Sequence, residues 1–191
     1  YIVRDKKASK LFTAKVSKNQ LDNIANLTEF SKLKHPTILQ LFGFSPKNFE
    51  KQVFPTILKD FIGKGTLGQI FTEKVELTPS EKYIIIYGIA DGMNYLHSQG
   101  IVHCNLKPTN ILIDENKNPI ICDYEESKIR NFSDESGFKF KAPEVISKKP
   151  FSSSADVYSF SMILYKLLTG NDPYSEGETD GEIQKEISEE L

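Results

Sequence analysis

Hydrophobic positions follow two regimes along the chain. Early on they come in short runs: Tyr1-Ile2-Val3 leads into the charged Arg4-Asp5-Lys6-Lys7, and 11–16 alternates around Lys15. Both runs predict strands. Leu21, Ile24, Leu27 and Phe30 then recur every three residues within 20–32, the spacing of an amphipathic helix. His35-Pro36 ends it, because the residue before a proline is pushed out of helical backbone space. Residues 38–44 and 53–59 predict two further strands, the second followed by a turn at Gly63-Lys64-Gly65. From Thr78 the period becomes helical. Thr78-Pro79-Ser80-Glu81 joins a capping box to a proline at the first helical position. Ile85, Ile89, Met93 and Leu96 form the apolar stripe, and Gly100 supplies a left-handed stop. Residues 111–113 and 120–122 flank a polar turn and predict a hairpin. Finally, 155–169 is apolar around nearly its whole circumference, with Val157, Phe160, Leu164, Leu167 and Leu168, which predicts a buried helix ended by Gly170. Strands first and helices second predict an α+β fold in two lobes, with a polar connector near 60–67.

Composition narrows the class. The chain has 191 residues, enough for about one domain. Its 24 Lys and Arg against 26 Asp and Glu leave a net charge of −2, with no general attraction for nucleic acid or an anionic membrane surface. No apolar run approaches the roughly 20 residues of a membrane span. The two cysteines, Cys104 and Cys122, have neither metal-ligand nor CxxC spacing, so an intracellular, cytoplasmic location is expected rather than a disulfide framework.

Candidate chemistry lies in Ile101-Val102-His103-Cys104-Asn105-Leu106-Lys107-Pro108-Thr109-Asn110, followed by Asp123-Tyr124-Glu125, Ala142-Pro143-Glu144 and Asp156-Val157-Tyr158-Ser159-Phe160. In this order and spacing the segments resemble the protein kinase family. The Leu106-Lys107-Pro108-Thr109-Asn110 form is similar to the catalytic loop of serine/threonine kinases, and the helix at Asp156-Val157-Tyr158-Ser159-Phe160 and the Thr66-Leu67 connector resemble the tyrosine-kinase-like group. The resemblance implies a strand-rich N-terminal lobe over 1–60, a hinge over 61–67 and a helical C-terminal lobe over 68–191, forming a single domain incomplete at both ends. It also implies ATP and Mg²⁺ as cofactors, weakly bound or absent, and a protein substrate or regulatory protein as partner. Phosphoryl transfer needs phosphates clamped, metal held and a hydroxyl aimed in line. Lys15, Asp60, Ile62, Asn110 and Asp123 match nucleotide-binding positions, and Asn110 and Asp123 match the metal-binding ones. Lys107 matches the catalytic-loop lysine. His103, Tyr124, Phe30 and Leu41 match the apolar stack between the lobes; Asp156 matches a buried carboxylate that holds the catalytic loop, and Glu144 a structural acid.

The departures from the family pattern carry equal weight. Asn105 stands in place of the general base, and an amide cannot take a proton. Such a base is worth about 10²–10⁴-fold, or about 3–5 kcal/mol of barrier. Asn26, nine residues ahead of His35, replaces the helix glutamate expected to pair with Lys15; Asp22 and Glu29 are the candidate substitutes on the same helical face. Cys104 replaces an arginine and reads as a small buried filler, Glu125 replaces a glycine, and Ser133 and Ser136 lie in a polar loop open to phosphorylation. Lys59 falls at the gatekeeper position, where a long cation either snorkels outward or occupies the pocket. Three functions are open on this pattern: a pseudokinase-like domain that regulates partners, an active atypical serine/threonine kinase, or a scaffold that binds no nucleotide.

Overall fold

A computed structural model describes residues 1–5, 10–16, 24–52, 54, 56–124, 137–147, 149–150, 152–174, 179, 181–182 and 185, with side chains described from Leu27 onward in the first helix. The N-terminal part is a four-stranded antiparallel sheet of β1 (Ile2–Arg4), β2 (Leu11–Val16), β3 (Leu41–Ser45) and β4 (Thr56–Asp60), in spatial order β1-β2-β4-β3. Helix α1 (Ile24–Phe30) sits between β2 and β3 in the chain and packs on β3. Its Leu27 and Phe30 are buried, as their spacing predicts; the predicted start at 20 and Leu21 lie outside the described residues.

The register of β2 on β4 decides which side chains meet at the cleft. Thr13 lies opposite Lys59 and Lys15 opposite Ile57, so these four side chains share one face of the sheet. Leu41 of β3 also lies opposite Lys59 and joins that face.

The strand predicted over 38–44 divides into two functions. Residues 37–39 pair with the C-terminal part: Ile121 N–H donates to the Thr37 carbonyl and Leu39 N–H to the Ile121 carbonyl, both at 2.8 Å. The chain joins the four-stranded sheet from Gln40, whose carbonyl accepts from Asp60 N–H at 3.2 Å. An apolar run shows that a segment is buried but not which sheet will accept its backbone.

The C-terminal part is helical. The capping box at Thr78 forms as predicted, with the hydroxyl accepting from Glu81 N–H and the Glu81 carboxylate accepting from Thr78 N–H, and it opens α3 (Pro79–Ser98). Gly100 takes the predicted left-handed backbone at φ 71°, and Gly170, predicted to end the last helix, does so at φ 77°. A second capping box, Thr66 with Gln69, opens α2 (Leu67–Thr72), a short helix that begins at the end of the predicted connector. The hairpin of β5 (Ile111–Ile113) and β6 (Pro119–Ile121) packs against α3. The approach is close at Gly88, where an added Cβ would stand 2.5 Å from the Pro119 ring.

Short α4 (Pro143–Ile146) precedes α5 (Ser153–Thr169). The expectation that α5 is buried all round is corrected. Ala155, Asp156, Ser159, Ile163 and Leu167 are buried, while Val157 is 61% exposed and Leu168 55%. Composition shows what a helix could bury; what it does bury depends on its neighbours, here α3 and the turn Phe138–Phe140. The result is an α+β fold whose main core runs through both parts, from Phe30 and Leu41 to Ile89, Ile121 and Ile163.

Candidate functional site

The loop from Ile101 to Asn110 is held from beneath by one carboxylate. Asp156, on the first turn of α5 and 1% exposed, accepts the backbone N–H of His103 through Oδ2 and that of Cys104 through Oδ1, each at 2.8 Å. His97 Nε2 of α3 reaches Oδ2 at the same distance. These bonds hold Cys104 at φ 63°, a left-handed conformation rare for a residue with a side chain. Its thiol is pushed up to about 12 by burial, with the Asp156 charge adding to the effect, and matches the buried filler predicted.

Above this anchor the loop is tightly knit. Asn110 Nδ2 donates to the Asn105 carbonyl at 2.9 Å, and Cys122 N–H donates to the Asn110 carbonyl at 2.9 Å. His103 is fully buried, with Nε2 3.0 Å from the Cys122 carbonyl. The loop and the Asp123 segment are therefore one hydrogen-bonded unit. Asn105, Lys107 and Asn110 are all buried within it.

Tyr124 continues the unit toward the sheet. Its ring meets Phe30 edge-on at 5.7 Å between centroids, and its hydroxyl donates to the Leu39 carbonyl at 2.9 Å. Phe30, Leu41, Tyr124 and His103 are each at most 1% exposed, and the first three share the main core. Glu144 is half-buried in the first turn of α4.

The centre of the cleft is electrostatic. Asp123, at φ 66°, presents its carboxylate to two ammonium groups from the shared face of the sheet. Lys15 Nζ lies 2.9 Å from Oδ2, and Lys59 Nζ lies 2.6 Å from Oδ1. Burial alone would raise the Asp123 carboxyl; the charges of Lys59 and Lys15, with a hydrogen bond from each, hold it well below the usual carboxylate range. The Lys59 side chain is only 5% exposed, so of the two options open to a gatekeeper cation it takes the inward one. Strand alternation alone does not give this pairing; the register that sets Lys59 across from Thr13 puts it on Lys15's face.

Other predicted positions sit around this centre. Asp60, at the end of β4, is half-buried and pairs with Lys10 at 2.7 Å, and Ile62 follows it half-buried. Glu29 is exposed on α1. The Asn26 side chain, Asp22, Glu125, Ser133 and Ser136 lie outside the described part of the chain. Two cavities, one of about 420 Å³ beside Gly65 and Asp114 and one of about 1050 Å³ beside Phe71 and Asn171, are lined by none of the residues at Asp123.

The donor set also bears on metal binding. No group of three or more His, Cys, Asp or Glu is placed to hold a metal ion among the described residues. Among the described residues the donors expected for a metal are the Asp123 carboxylate and the Asn110 amide, and each carboxylate oxygen already faces an ammonium. A divalent cation at Asp123 would have to displace the Lys59 ammonium or lie against it. Among the described side chains, then, the Asp123 carboxylate is engaged by lysines rather than open to Mg²⁺.

A two-part α+β body carries the Lys15–Asp123–Lys59 cluster at its junction, and comparison with known sequences defines the family. The chain matches the protein kinase domain family over residues 1–191 and belongs to that family. It is 35% identical over 156 residues to mitogen-activated protein kinase kinase kinase 12 of Rattus norvegicus, covering 79% of this chain and 17% of that protein. It is 29% identical over 174 residues to serine/threonine-protein kinase STY17 of Arabidopsis thaliana, covering 84% of this chain and 30% of the relative. A probable serine/threonine-protein kinase of Dictyostelium discoideum is 32% identical over 157 residues, 78% of this chain and 16% of that protein. The chain thus spans under a third of the length of these curated relatives. Among the described residues no helix is long and apolar enough to cross a membrane.

Proposed function

We propose that this chain is a serine/threonine-type protein kinase domain impaired in phosphoryl transfer, which binds nucleotide weakly and acts in signalling by binding or regulating partner proteins. The reading rests on Asn105. The loop around it is anchored at Asp156 and bonded to Asn110, which supports reading position 105 as the place of the family's general base. The side chain at that point is an amide, which accepts a hydrogen bond from a hydroxyl but does not take its proton. Lys15, Lys107, Asn110 and Asp123 would serve binding rather than turnover.

The test is transfer of the γ-phosphate of ATP to the chain itself and to a generic serine/threonine protein substrate. Expected is a rate about 10²–10⁴-fold below that of working kinases, the share a positioned base supplies. Turnover in the ordinary kinase range of about 1–100 s⁻¹ overturns the reading in favour of an active atypical kinase. Absence of any nucleotide binding overturns it in favour of a scaffold.

A further inference from the structure

We infer that the Tyr124 hydroxyl is a positioning group for Asp123: by tying the chain just beyond that residue to the segment 37–39, it holds the Asp123 carboxylate against Lys15 and Lys59. The inference concerns the same cleft as the proposed function and rests on that reading only in taking Asp123 as the carboxylate of the site.

The aromatic stack accounts for the ring of Tyr124 and not for its hydroxyl. An edge-on contact with Phe30 and a place in the main core ask only for the ring. A phenol at 1% exposure carries a polar group that needs a partner, and it finds the carbonyl of Leu39, a residue itself 5% exposed, at 2.9 Å. The same segment is already bonded to the chain ahead of Asp123. Ile121 N–H donates to the Thr37 carbonyl and Leu39 N–H to the Ile121 carbonyl, each at 2.8 Å. Segment 37–39 therefore grips the chain on both sides of the carboxylate, at Ile121 before it and at Tyr124 after it.

Asp123 needs such a grip. Its φ of 66° is a left-handed conformation that a residue with a side chain keeps only where its surroundings impose it. On one side Cys122 is fixed twice, its N–H donating to the Asn110 carbonyl at 2.9 Å and its carbonyl lying 3.0 Å from His103 Nε2. On the other side the Tyr124 hydroxyl supplies the hold. Between these two neighbours the backbone of Asp123 follows a course that aims Oδ1 at Lys59 and Oδ2 at Lys15, 2.6 and 2.9 Å away. Without the hydroxyl the ring can stay against Phe30 while the carboxylate loses one of its two supports.

The experiment is a double-mutant cycle on the full chain, read by urea unfolding of the parent, Tyr124→Phe, Asp123→Asn and the double variant. Tyr158→Phe serves as the control, since its hydroxyl bonds that of Tyr174 instead. Tyr124→Phe alone should lower the folding equilibrium constant about tenfold, through the buried carbonyl it leaves unserved. The effect of Asp123→Asn should then be smaller in the Tyr124→Phe background than in the parent by more than about twofold, which exceeds the scatter of independent sites. In the Tyr158→Phe background it should match the parent within about twofold. The second readout is acylation of Lys59 in the native chain by a limiting amine reagent, scored by mass spectrometry against Lys64, whose side chain is 57% exposed. Labelling of Lys59 should rise in Tyr124→Phe and stay unchanged in Tyr158→Phe, whereas a hydroxyl that serves stability alone would leave both as in the parent. A cost below about twofold for Tyr124→Phe, a cycle additive within about twofold, equal coupling for Tyr158→Phe, or unchanged labelling of Lys59 each overturns the inference. No nucleotide enters the measurement, so these failures leave the proposed function standing, and a chain that binds no nucleotide leaves the cycle as expected.

Discussion

Asp123→Asn isolates the electrostatic centre of the cleft. The substitution keeps the shape and removes the charge that two ammonium groups share. Lys15, with a side chain 36% exposed, loses little, since exposed ion pairs contribute about 0–1 kcal/mol. Lys59 is different: at 5% exposure its ammonium loses a carboxylate at 2.6 Å and meets an amide in its place. Breaking a buried pair by removing one partner costs about 3–5 kcal/mol. For a chain of this size each kcal/mol moves the melting point by about 2–4 °C, so the expected fall is about 6–20 °C.

The pairing also has a pH signature. The Asp123 carboxyl is held below its ordinary value, so its contribution is complete above the unfolded carboxylate range, near pH 4, and fades only as pH falls toward the lowered folded value. Parent and Asp123→Asn should therefore differ by a constant amount from about pH 6 to pH 8 and converge in acid. Urea unfolding followed by far-ultraviolet circular dichroism measures both effects. Asp123→Asn combined with Lys59→Met should regain most of the loss, because an apolar side chain of similar length suits the buried site. A loss below about 1 kcal/mol for Asp123→Asn would show that Lys59 does not depend on this carboxylate. A double variant no more stable than the single one would show the same.

Three further outcomes are expected. Asp156→Asn takes a charged acceptor from two buried N–H groups, at about 1.5–3 kcal/mol per bond, so chemical denaturation should read about 3–6 kcal/mol less stability. Gly88→Ala should destabilise by about 1–3 kcal/mol despite alanine's higher helix propensity, because its Cβ would meet a proline ring that has little room to yield, and melting curves test this. Cys104, with its thiol pushed up to about 12, should not react with a disulfide probe at pH 8 in the folded chain and should react in urea; a fast thiol in native protein would contradict its placement.

Local rules are the most legible part of the sequence. The Thr78 capping box, the left-handed glycines at 100 and 170 and the buried Leu27 and Phe30 stand where spacing alone puts them, because short-range geometry decides them. Features set by distant partners are harder to read. The run 38–44 divides because its first residues find β6, far along the chain. The exposure of Val157 and Leu168 depends on what packs around α5, which no periodicity encodes. At the site, resemblance supplies the candidates, while Lys59 needs the strand register before its direction can be known. Thr66-x-x-Gln69 does announce α2, but the glycine turn at 63–65 beside it masks the signal.

The opposition of Thr13 and Lys59 also bears on how the sheet assembles. Sliding β4 by a single residue against β2 would turn the Lys59 head to the other side of the sheet and put Leu58 in its place, taking from Asp123 the nearer of its two ammonium partners. Mispaired arrangements of these strands are therefore penalised by charge as well as by lost packing. The ion pair acts as an alignment key for the sheet, favouring one threading of the strands over its neighbours.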